Sequence, residues 1–345
     1  MRYAMKNTEK QNNPIDFVIA WVDGSDTEWQ KEKARFETGS ASDSASGDRR
    51  EIRFRDWDNL RYWFRAVEMY APWVNRIHFV TWGHLPDWLD TGHPKLHIVT
   101  HTDYIPAQYL PTFNSHTIEL NLHRIPGLAE QFVYFNDDMF LNAPVRPTDF
   151  FVNGLPRDVF AQNAIFFGPD SVGPINGNNM CIINTHFPKK QALLKNWGKW
   201  FSPSYGVRNI IRTALLLPWP WFPGFLYGHT TTNLLRSTMK EVWAREGEVL
   251  DATYRCRFRQ QTNVNQWLFK YWQLASGNFV PLSYKFSHCY HVKDTVSDAC
   301  RDILNGSHRV ICVNDTAKTQ DFEVLARQVR EAFEQRLPGK SKYEL

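Results

Sequence analysis

Phe132-Val-Tyr-Phe-Asn-Asp-Asp-Met-Phe-Leu141 is an apolar run, rich in strand-forming residues, that stops at Asn136-Asp137-Asp138 and resumes as a second short apolar run. In an α/β protein, ligands sit beyond the carboxyl ends of parallel strands. Two adjacent carboxylates there suit a hard divalent cation, and such a cation with few protein ligands works on phosphate groups. The alternative is that Asn136-Asp137-Asp138 only starts a turn. Side chains alternate along an extended strand, so one of Asp137 and Asp138 is expected to meet a metal directly.

Working outward, Ile15-Asp-Phe-Val-Ile-Ala-Trp-Val22 reads as a second buried strand. It ends at Asp23-Gly24-Ser25-Asp26, a turn carrying two more carboxylates. Leu60, Trp63, Phe64 and Val67 recur at helical spacing after Asp58, the expected N-cap, and Pro72 stops that helix. Ile77–Trp82 and Leu96–Thr100 are further strands, and Thr117–His123 a short helix. Strand, helix, strand, strand, helix, strand over the first 145 residues predicts a mostly parallel, three-layer, Rossmann-like α/β sheet. No Gly-x-Gly-x-x-Gly or Walker A sequence occurs, so phosphate charge falls to a metal and to basic side chains.

The second half is less regular, with helices expected over Thr231–Glu246, Asn263–Ala275 and Phe322–Phe333. The implied organisation is a flexible N-terminus (1–14) and a nucleotide-binding α/β core (15–150). An α-rich acceptor-side insertion (151–310) is expected to close over the site, followed by a last block (311–345). The small polar residues of Thr38–Asp48 suggest a lid or a slack connector.

The 345 residues are 43% hydrophobic, 22% charged and 15% aromatic, as in a soluble globular protein with many side chains suited to stacking on sugars. A net charge of +4 is too small to mark a nucleic-acid binder. The five cysteines include no Cys-x-x-Cys pair, which disfavours a disulfide framework or zinc site and fits a reducing compartment. Met1–Pro14 lacks an apolar core, so no signal peptide is expected. Ile210–Tyr227 is apolar, but Arg212 and three prolines break it as a membrane span. It reads as a Pro-rich loop packed on the protein, or as a segment that dips Trp219, Trp221, Phe222 and Phe225 into a membrane interface.

Read together, several motifs resemble the Stealth family. Ile15–Asp26 is similar to its first block. Arg53-Phe-Arg-Asp56, Ala71-Pro-Trp-Val74, Leu110-Pro-Thr-Phe-Asn-Ser115, His123-Arg-Ile-Pro-Gly127 and Tyr134-Phe-Asn-Asp-Asp138 resemble its second. Gly228-His229 with Phe258-Arg259 resemble the third, and Cys312-Val-Asn-Asp315 with Leu337–Glu344 the fourth. The third block departs from the family pattern: Thr231 stands in place of a proline, and Asn263 in place of an acidic residue.

The resemblance implies a hexose-1-phosphate transferase of capsular or cell-wall polysaccharide synthesis, on a GT-A-like nucleotide-sugar-binding sheet to whose core the last block (311–345) returns. It implies a UDP-sugar donor, commonly a UDP-N-acetylhexosamine, with Mg2+ or Mn2+, a glycan acceptor and release of UMP. Asp138 matches the essential acidic position, with Asp137 and Asp315 as further metal ligands. His229 is expected as acid–base group and Arg259 as the clamp on phosphoryl oxygens, with Arg257 its rival. Asp26 matches the acidic position that closes the first block, and Asp23 is expected to meet the uridine or ribose. Asn114, Ser115, Arg124 and Asn136 are expected to shape the donor pocket. The enzyme would be cytoplasmic, with possible peripheral contact at the inner membrane face. The main rival reading is a metal-dependent glycosyltransferase that releases UDP; a non-catalytic carbohydrate-binding protein would leave the acidic pair, His229 and Arg259 without a joint purpose.

Overall fold

The computed structural model describes residues 13–37, 55–168, 172–316 and 321–345; the segment Thr38–Asp48 lies outside them. Four strands, β1 (Ile15–Ala20), β2 (Ile77–Thr81), β3 (Leu96–Thr100) and β4 (Gln131–Asn136), run parallel. β5 (Met139–Leu141) follows β4 after two residues, and β6 (Phe151–Val152) and β7 (Leu155–Asp158) form a small hairpin. β8 (Thr232–Leu235) pairs antiparallel with β4 and completes a sheet of order β3-β2-β1-β4-β8. β9 (Val280–Pro281) extends the hairpin. β10 (Ser287–His291) and β11 (Val310–Asn314) run parallel, and β11 pairs antiparallel with β5.

The main sheet is covered on both faces, as its apolar strands require. Phe17, Phe79 and Phe135 point to one side, against Trp63, Phe64 and Val67 of the helix Leu60–Tyr70 and Val329 and Phe333 of the helix Phe322–Arg336. Val18, Val80 and Tyr134 point to the other, against the helices Arg236–Tyr254 and Trp267–Ser276. The result is a mostly parallel, three-layer α/β fold. The second half supplies helices to both outer layers and the antiparallel edge strand, and no helix among the described residues is long and apolar enough to cross a membrane.

Several local expectations change. Thr231–Glu246 does not begin as a helix: Thr232–Leu235 form β8, because pairing with β4 outweighs local helix preference, and the helix starts at Arg236. Asp58 adopts a positive φ of 50° and does not cap; Asn59 takes the N-cap position. Within Ile210–Tyr227, residues up to Leu215 belong to a helix, Val207–Leu215. Phe222 and Phe225 are buried, while Trp219 and Trp221 stand exposed. All five cysteines are free thiols.

The carboxyl-terminal residues close the fold. Buried Arg65 holds Glu344 through two bonds of 2.9 Å and also donates to Glu334 and to the Leu337 carbonyl. Under the other face, buried Asp16 accepts from Asn75, from the Ala129 backbone and from His78, and ties the starts of β1, β2 and β4 together.

Candidate active site

The carboxyl ends of β1, β4 and β11 converge on a cleft of about 500 Å³. Trp21 and Val22 line it from β1, Asn136, Asp137 and Asp138 from β4, and Asn314 and Asp315 from β11. The Asp137-Asp138 pair is a two-residue turn between β4 and β5, so strand alternation does not apply and both residues line the same cleft. β11 fixes the turn: the Val313 amide donates to the Asp138 carbonyl at 2.8 Å.

Asp138 is the hub. Its Oδ2 accepts from His229 Nε2 at 3.1 Å and from the Cys312 thiol at 3.2 Å. Its Oδ1 is buried with no hydrogen-bond partner among the described residues. Burial works against the Asp138 charge, but the His229 imidazole outweighs it and holds the pKa below the usual carboxylate value. His229 responds in kind: burial opposes its charge, yet Asp138 raises its pKa to about 9. The resting pair is therefore carboxylate and imidazolium. Loss of water around it in the cleft, then the charges of Asp138 and Asp56, raise the Asp137 pKa to about 7, although its side chain is exposed at the cleft mouth.

Arg259 also lines the cleft and donates to Ser115 Oγ at 2.5 Å. Ser115 opens the helix Ser115–Leu120, and Glu119, one turn later, lines the same cleft. Burial raises Glu119 to about 7, against the pull of Arg259 and His229. Arg257 points elsewhere: it donates to the Pro111 carbonyl at 2.6 Å and stacks over Phe36 at 4.5 Å. Of the two rivals, Arg259 is the one at the cleft.

Other expected site residues hold the scaffold. Asn114 is fully buried; it caps the Ser115–Leu120 helix and donates to Asn263 and to the Cys256 carbonyl, so it does not face a donor. Arg124 lies over the Trp243 ring at 4.8 Å, outside the cleft lining. Asp26 accepts from the Trp29 amide and starts the helix Thr27–Glu37. Asp23 folds back on Ser25, and its amide donates to His84. Gly24 sits in that turn, its carbonyl taken by Gln30. Asp315 lines the cleft, but its carboxylate is clamped by Nε and Nη2 of Arg55 at 2.8–3.1 Å and by Trp57, which argues against it as a metal ligand.

The structure adds Asp56, Glu119, Arg55 and Cys312 to the cleft or its hub. Asp56 and Cys312 stand in quoted motifs. For Glu119 the signal was its spacing, four residues after Ser115. Asp138, His229 and Cys312 can hold a metal ion, since their ligand atoms lie within 4.8 Å of one another. The orphaned Asp138 Oδ1, with the Asp137 carboxylate beside it, fits a hard cation better than the thiol does, because oxygen ligands suit such ions.

Residues 13–41 match Stealth protein conserved region 1, and residues 53–158 match conserved region 2. A capsular polysaccharide phosphotransferase, WcwK of Streptococcus pneumoniae, is 41% identical over 342 residues, 99% of this chain and 99% of that protein. A receptor polysaccharide phosphotransferase, WefC of Streptococcus gordonii, is 42% identical over 332 residues, 96% and 99% of the two chains. Among solved structures, the galactosyltransferase LgtC in complex with donor and acceptor sugar analogues aligns over 95% of this chain and 98% of its own, with 11% identity and a TM-score of 0.38. On its two conserved regions and its full-length relatives, the chain belongs to the Stealth family and is a phosphotransferase.

Proposed function

We propose that this phosphotransferase moves a sugar 1-phosphate from a UDP-sugar, of the UDP-N-acetylhexosamine class, to a hydroxyl of a growing capsular or cell-wall polysaccharide. The names of its relatives support a polysaccharide product. The observation that carries the reading is that one cleft is lined by the Asp137-Asp138 turn, the His229 imidazolium bonded to it, and Arg259.

The acceptor oxygen attacks the phosphorus that bears the sugar. The bond from that phosphorus to the bridging oxygen breaks, UMP leaves, and the sugar keeps its phosphate as a diester. Catalysis of such a transfer is mostly positioning and charge stabilisation. Mg2+ or Mn2+, held by Asp138 and Asp137, would neutralise the diphosphate and the departing UMP. Arg259, set by Ser115, presents its planar fork to the phosphoryl oxygens. His229, an imidazolium at rest beside Asp138, must first give up its proton; its neutral imidazole then takes the hydroxyl proton, and Asp138 stabilises the imidazolium that forms. Trp21, Trp29 and Phe113 give the cleft an aromatic wall suited to a uracil ring.

The test is the nucleotide released from UDP-N-acetylglucosamine and related donors with Mg2+ and glycan acceptors. UMP, released only with acceptor and metal, is the expected product. UDP would make the enzyme a glycosyltransferase and overturn the mechanism.

A further inference from the structure

From Ser171 to Lys240, 70 consecutive residues contain eight Lys or Arg and no Asp or Glu, in a chain where 36 of 345 residues are acidic, about one in ten. The middle of that stretch also carries misplaced apolar surface. In the helix Val207–Leu215 only Thr213 is buried, while Val207, Ile211 and Leu215 recur every four residues at 73%, 52% and 73% exposure. That stripe faces water, the reverse of an ordinary amphipathic helix on a globular protein. Exposed Arg208 and half-buried Arg212 flank it, one position further round the helix. In the preceding helix, Lys189–Trp200, the packed positions are Lys189, Ala192, Asn196 and Trp200, which leaves Leu194 and Trp197 exposed beside Lys190 and Lys195.

The two helices form one unit. Lys189 Nζ donates to the carbonyls of Leu216 and Trp219, which tie the end of the second helix to the start of the first. Asn184 holds the Phe222 backbone through both its amide and its carbonyl, so Trp219 and Trp221 project from a pinned turn. Seven of the fifteen large apolar side chains exposed among the described residues lie between Leu194 and Trp221.

We infer that this face docks on an anionic lipid bilayer. Exposed Trp and aliphatic side chains rimmed by Lys and Arg are the composition of an interfacial membrane surface. A 70-residue stretch without a carboxylate is what a negative surface requires, because any acidic group there would be repelled.

The experiment is co-sedimentation of the full chain with vesicles, one set pure phosphatidylcholine and one about a third phosphatidylglycerol. The expected result is binding to the anionic set at least about tenfold tighter, weakened by salt. Trp219→Ala with Trp221→Ala, and separately Arg208→Glu with Arg212→Glu, should each weaken binding about tenfold while leaving thermal unfolding unchanged. Binding is read without donor or acceptor, so it stands apart from the proposed reaction. Failure to sediment with either vesicle, or variants that bind like the native chain, would overturn the inference. So would a dimer in light scattering that the same variants dissociate, since the face would then belong to a second copy.

Discussion

His229 Nε2 lies 3.1 Å from Asp138 Oδ2, joining the turn after β4 to a residue 91 positions later. Each charge stabilises the other, so the two act as a unit. Asp138→Asn and His229→Gln should each lower the rate of UMP release about 1000-fold, and the double variant should be little worse than either single. Steady-state rates of the three variants, with circular dichroism to check folding, test this. Multiplying losses would show that the pair does not work together.

Arg257 and Arg259 are two residues apart and have different tasks. Arg259→Lys keeps the charge but loses the fork, and should reduce turnover about 100-fold. The Arg257 guanidinium contacts the Pro111 carbonyl and the Phe36 ring, away from the cleft, so Arg257→Lys should change turnover by about threefold or less. Reversed effects would move the phosphate clamp from Arg259 to Arg257.

The parallel sheet and the Asn136-Asp137-Asp138 turn were legible because a strand that buries both faces must be apolar throughout, and a pair of carboxylates ending it stands out. β8, β10 and β11 were not legible. β8 and β11 pair with β4 and β5, about 100 and 170 positions away, and local pattern carries no trace of such partners. Asn114 was misread because a buried cap and a ligand contact look alike in sequence: both place a polar residue just before a helix. Glu119 escaped because a glutamate on a short helix ordinarily faces water. His229 became visible only through the family resemblance, as one of 12 histidines.

Arg65 and Glu344 lock the C-terminus to the Leu60–Tyr70 helix. Their side chains are 7% and 3% exposed, so the pair is shielded from water. Removing one charge from a buried pair leaves the other uncompensated, and Glu334 covers only part of the loss because it is half exposed. Glu344→Gln should destabilise the fold by about 3 kcal/mol in urea titration, with the catalytic residues untouched. A change below about 0.5 kcal/mol would mean that water or Glu334 fully substitutes.

His123 is buried, and burial lowers its pKa to about 4, from 6.5 when unfolded; His101 behaves alike. A depressed folded pKa means that stability is fully present above pH 6.5 and is lost as pH falls towards 4, because the unfolded chain takes up the proton first. Glu119 works in the opposite sense: with its pKa raised to about 7, it favours the folded state as pH falls below that value. Comparing variants cancels that contribution. His123→Gln keeps a side-chain donor, removes the titration, and leaves the cleft intact. Between pH 7 and pH 5 the native chain should lose about 2 kcal/mol more unfolding free energy than the variant. Parallel stability curves over that range would show that His123 is already solvated or paired when protonated.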